Sequence, residues 1–196
     1  MTSHQRELIK FMINTLEGGY KTYTDPNDIG GKTRAGIASK YYPNLDLEAM
    51  TEDEIDEFYF KEWYSKVERI SWEPLKDFIF CTGINTGMRP IIRLLQITLN
   101  QLDIGGEKIS EDGLYGNMTD NKVKTVCLSL RATTPALWST IFWDRYFMNV
   151  YNYYSQRGTA NHHFLGWYNR INRTMAWILA HSNCSDDFLV TKGIKK

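Results

Sequence analysis

Apolar residues in this chain recur three and four positions apart, and that period commits most of the chain to helix. Leu8, Ile9, Met12, Ile13 and Leu16 make one such stripe, with Thr2 and Gln5 forming a capping box at its start. A helix is expected from about Ser3 to about Glu17. Gly18 and Gly19 then stop it, because glycine readily takes the left-handed conformation that closes a helix. Thr51 and Glu54 form a second capping box, opening an acidic, aromatic helix that carries Phe58, Trp63 and Val67. Further helices are expected from Glu73 to Thr86, from Pro90 to about Leu102, and from Thr119 to Leu130. Two more are expected from Thr134 and Pro135 to about Tyr154 and from His163 to His181. Strand signals are confined to a small hairpin between Tyr20 and Ile37. The fold class is mainly α, with function expected in the irregular pieces between helices.

Two segments lack any helical period. The first, LEGGYKTYTDPNDIGGKTRAGI from Leu16 to Ile37, holds five glycines and three carboxylates. The second, DIGGEKISEDGLYG, runs from Asp103 to Gly116. The 196 residues suffice for one domain or two small packed ones without disulfide or metal support. Lys plus Arg and Asp plus Glu number 23 each, so no global field draws the chain to nucleic acid or anionic lipid. Cys81, Cys127 and Cys184 are odd in number and widely spaced, and two of them sit among apolar residues as buried free thiols do.

No apolar run is long enough for a membrane span, and the N-terminus has no secretory pattern. The expectation is a protein made in the cytoplasm without a signal peptide. His162 and His163 are adjacent and would point about 100° apart on a helix. Neither they nor the acidic loop Asp103 to Asp112 has metal-ligand spacing, so no metal and no cofactor are expected. Trp138, Phe142, Trp143, Tyr146 and Phe147 form a helical stripe that suits a core.

The chemistry of the first loop begins at Glu17. A carboxylate at a helix C-terminus faces the negative end of the macrodipole, a setting that suits a proton donor. Glycoside cleavage needs such an acid, plus a second polar group to position water or stabilise the oxocarbenium ion. Asp25, Asp28 and Thr33 follow at once. Pro26 biases Asp25 towards an extended conformation, and Asn27, Asp28, Gly30 and Gly31 can return the chain towards Glu17. By composition alone, acidic residues in a turn serve as solvated caps, and Thr33 serves equally to cap the next segment. Asn85 could bind a sugar acetamido group or cap its helix before Gly87.

The ordered string Glu17-Gly18-Gly19-Tyr20, then Asp25-Pro26-Asn27-Asp28-x-Gly30-Gly31-x-Thr33-x-x-Gly36-Ile37, resembles the motif of glycoside hydrolase family 108. These are phage-type N-acetylmuramidases, also known as secretion activator proteins. Cys81-Thr82-Gly83-Ile84-Asn85-Thr86-Gly87, Leu94-Leu95-Gln96, Glu111-Asp112-Gly113-Leu114-Tyr115-Gly116 and Phe164 to Arg170 resemble the peptidoglycan-binding region that follows that module. Asn117 stands where that family's turn often has proline.

The resemblance implies a lysozyme-like helical fold, with a catalytic region over residues 1–88 and a peptidoglycan-binding helical region over 89–196, packed together. It implies Glu17 as the catalytic glutamate, the general acid; beside it the residues themselves offer Asp25 or Asp28 as second carboxylate, Thr33 to support the water, and Tyr20, Gly31 and Asn85 as expected substrate contacts. The implied partner is the peptidoglycan glycan strand, reached in the wall after release through a holin or another export route. The rival reading is a non-catalytic wall-binding or secretion-assisting protein of the same fold.

Overall fold

The computed structural model describes residues 1–24, 31–157 and 161–181. Asp25 and Asp28 lie outside the described residues. The chain divides into two compact units, Met1–Lys66 and Val67–Lys196. The helix ending at Thr86 packs on the helices that follow it.

In the first unit, α1 (Ser3–Phe11) starts at the Thr2 capping box, with both reciprocal bonds formed. The expected helix continues to Leu16, but residues Met12–Leu16 are a π-helical turn. The backbone N–H of Glu17 donates to the Met12 carbonyl at 3.1 Å, and that of Gly19 to Ile13 at 2.9 Å. Gly18 and Gly19, at φ 82° and 90°, make this widened ending accessible. Leu8, Ile9, Met12 and Ile13 are fully buried.

The expected hairpin is a three-stranded antiparallel sheet, β1 (Thr22–Thr24), β2 (Lys32–Arg34) and β3 (Ile37–Ala38). Tyr23 pairs with Thr33, and Thr33 with Ala38. Ala35 and Gly36, both at positive φ, make the two-residue turn from β2 to β3 that matches strand twist. The second capping box starts α2 (Glu52–Glu62), which packs against α1. Ile55, Asp56 and Tyr59 are its buried residues.

In the second unit, α3 (Glu73–Thr86) is apolar on nearly every side and packs on α4 (Met88–Gln101) and α7 (Asn161–His181). Between them come α5 (Asn117–Thr133) and α6 (Trp138–Arg157). The α6 aromatics are core: Phe142 and Tyr146 are fully buried, with ring contacts to Trp72 and Phe78. Cys81 and Cys127 are buried thiols. No described helix is long and apolar enough to cross a membrane.

The turn-rich segment before α5 is fastened by buried side chains. Gln96 donates to the Asp112 carboxylate, the Leu114 carbonyl and Thr119 Oγ1 at 2.9–3.1 Å, and accepts from the Gly113 N–H at 2.7 Å. Lys122, 6% exposed, places its ammonium among the carbonyls of Gly105, Gly106 and Glu107. Asn117 stands at the first position of α5, where a proline would also fit.

Candidate active site

Glu17 follows the π turn directly and is half-buried. Its carboxyl lies over the turn between β2 and β3. A methyl group built on Gly36 would stand 2.6 Å from Glu17 Oε2, 2.9 Å from its Cδ and 2.8 Å from the Tyr59 hydroxyl. Only a residue without a side chain brings the backbone this close, and the φ of 82° independently selects glycine. Tyr59, 1% exposed, donates to the Ala35 carbonyl at 2.6 Å and so fixes the same turn from below.

The loop returns through a second set of bonds. Arg34 on β2 donates through Nε to the Tyr20 carbonyl at 3.1 Å and through Nη1 to the carbonyls of Leu47 and Glu48 at 2.7 and 2.9 Å. One planar guanidinium thereby ties the bend after Glu17 to the segment leading into α2. Lys32 pairs with Glu48 at 2.7 Å beside it. The Tyr20 hydroxyl donates to Asp56 Oδ1 at 2.5 Å. Burial, then the hydrogen bond and charge of Asp56, raise the Tyr20 phenol above its ordinary value. Burial likewise raises the Asp56 carboxyl, against the Tyr20 bond and the nearby Lys10 and Arg6.

Thr33 is 4% exposed at the centre of β2, and its Oγ1 makes no hydrogen bond among the described residues. Gly31 has φ 73° and approaches the Ser39 side chain, where an added methyl would stand 3.0 Å from Oγ. Glu17, Tyr20, Gly31 and Thr33 thus belong to the first unit. Asn85 lies in the second, exposed in the last turn of α3, where Gly87 rather than Asn85 is the cap. Arg34, Gly36, Asp56 and Tyr59 were not assigned roles by sequence. The apolar pair Ile55 and Tyr59, four residues apart on α2, was the signal for Tyr59; Asp56 in that acidic helix left none. Among the described residues, no group of three or more His, Cys, Asp or Glu side chains could hold a metal ion.

A half-buried glutamate at a helix end, set over a glycine turn in a small sheet on a mainly helical chain, is the plan of a lysozyme-like fold. Residues 11–87, the segment that carries Glu17, match the family model described as Glycosyl hydrolase 108. No curated protein matches the chain. The solved structure of Brucella abortus SagA is similar over 91% of this chain and 97% of its own, with a TM-score of 0.67 at 18% identity, a likeness of fold.

Proposed function

We propose that this protein is an N-acetylmuramidase, cleaving the β-1,4 bond between N-acetylmuramic acid and N-acetylglucosamine in peptidoglycan, with Glu17 as general acid. The observation that carries the reading is the Glu17 carboxyl seated on Gly36 beside Tyr59, within the segment that matches a glycoside hydrolase family. Protonation of the glycosidic oxygen by Glu17 releases the leaving sugar as positive charge develops on the ring. Asp25 or Asp28, carried by the sequence between β1 and β2, supplies the second carboxylate. Thr33, whose buried hydroxyl has no partner among the described residues, orients the water. Tyr20, Gly31 and Asn85 are the proposed substrate-binding positions. The substrate sets the place of action in the wall, outside the inner membrane, with a holin or another export partner supplying passage.

The test is product analysis. Purified sacculi are digested, and the new reducing ends are reduced with borohydride and identified by mass spectrometry. The reading predicts reduced N-acetylmuramic acid. Sedimentation with sacculi and no new reducing ends would instead identify a wall-binding protein, and faster turnover of chitin oligomers a chitinase.

A further inference from the structure

The bend after Glu17 and the turn beneath its carboxyl are both tied to one face of α2. Asp56 and Tyr59 are three residues apart and share that face. Both are buried, at 0% and 1% exposure. Asp56 accepts from the Tyr20 hydroxyl, three residues beyond Glu17, and Tyr59 donates to Ala35, next to Gly36. Between the two anchor points Arg34 joins the strands by its bond to the Tyr20 carbonyl.

The local backbone needs such anchors. A π turn followed by two glycines at positive φ places few limits of its own on where Glu17 points. Asp56 is also a poor residue for stability alone. Its Oδ2 has no hydrogen-bond partner among the described residues, and a buried carboxylate with an unsatisfied oxygen is costly where an aliphatic side chain would pack without penalty. A group kept at such a cost fits a site that trades stability for geometry.

We propose that Asp56 and Tyr59 are positioning residues for the Glu17 carboxyl, Asp56 acting through Tyr20 and Tyr59 through the Ala35–Gly36 turn. The inference rests on Glu17 as the general acid. It assigns Tyr20 to holding the loop through its hydroxyl.

The experiment compares Tyr59→Phe and Tyr20→Phe with the parent protein. Because Tyr20→Phe leaves a buried carboxylate without its donor, Tyr20→Phe/Asp56→Leu is made alongside to remove that penalty. Three quantities are read: kcat and KM separately on a soluble glycan fragment, the melting temperature, and the side-chain carboxyl carbon-13 resonance of Glu17. A displacement of about 1 Å costs on the order of 10²-fold, so kcat should fall by that order, with the KM of Tyr59→Phe within about twofold. The Glu17 resonance should move in every variant, and the double variant should regain thermal stability without regaining kcat. A well-folded Tyr59→Phe with parental kcat and an unmoved resonance overturns the proposal. So does a loss of kcat that tracks the melting temperature while the resonance stays fixed. If the parent releases no reducing ends, the muramidase reading fails, yet the resonance still decides whether these residues position Glu17.

Discussion

Gly36→Ala is the substitution whose effect on the site can be worked most directly. The new methyl would stand 2.6 Å from Glu17 Oε2, and ordinary contact begins at 3.4 Å, so the carboxyl must retreat by about 0.8 Å. The Tyr59 hydroxyl, 2.8 Å away on the same point, is held by Ala35 and blocks one direction of relief. A shift of this size in a proton donor costs on the order of 10²-fold in kcat, about 2.7 kcal/mol of transition-state stabilisation. Alanine at φ 82° adds a backbone cost of about 1–2 kcal/mol to folding.

Gly106→Ala separates the two effects. Gly106 has φ 85°, and nothing lies within 4 Å of an added methyl, so it carries the backbone strain without the collision. The assay is release of reducing ends from sacculi, with urea midpoints measured in parallel. Gly36→Ala should lose at least as much stability as Gly106→Ala, since it adds the collision to the strain, and Gly36→Ala alone should lose activity. A Gly36→Ala protein as active as Gly106→Ala would refute the placement of the Glu17 carboxyl on this turn.

Three further outcomes follow from particular side chains. Lys122→Met leaves three loop carbonyls without their ammonium donor and should destabilise the second unit by about 2–4 kcal/mol, read from urea midpoints. Burial pushes the Cys127 thiol up to about 12, so iodoacetamide at pH 8 should leave Cys127 unmodified in the native protein and label it after unfolding, as peptide mapping would show. Asp56 is raised by burial, so the folded state holds its proton more tightly and the stabilising contribution of the acid form is lost as pH rises through the folded value. Asp56→Asn keeps an acceptor for Tyr20 but has no charge to desolvate. Its stability should therefore gain on the parent as pH is raised from the ordinary aspartate range towards neutrality, and parallel curves would count against the burial of that carboxyl.

The parts of the fold that depend on near neighbours were legible in the sequence. Both capping boxes, at Thr2 and Thr51, form as read, because each needs only a residue three positions on. The aromatic stripe of α6 packs as a core for the same reason of local spacing. Boundaries set by longer reach moved. Met88 rather than Pro90 starts α4, Asn117 rather than Thr119 starts α5, and Trp138 starts α6 after a turn through Thr134. The π turn at Met12–Leu16 was hidden, since its side chains keep a helix-like apolar pattern while its hydrogen bonds are redirected by the glycines after it.

At the site, Glu17 stood out by its position before Gly18 and Gly19. Asp56 did not, because a carboxylate in an acidic helix reads as solvent-facing until the loop that covers it is in place. Arg34 was invisible for a related reason: its three acceptors are backbone carbonyls, which leave no trace in the residue types around it.

The central claim is that the Glu17 carboxyl delivers a proton to a glycosidic oxygen. Glu17→Gln keeps the side-chain shape and the contact with Gly36 but cannot deliver that proton, so reducing-end release from purified sacculi is the most direct measurement. The account predicts a folded protein with the parental circular dichroism spectrum and melting temperature that releases no new reducing ends. A Glu17→Gln protein that digests sacculi at the parental rate would contradict it.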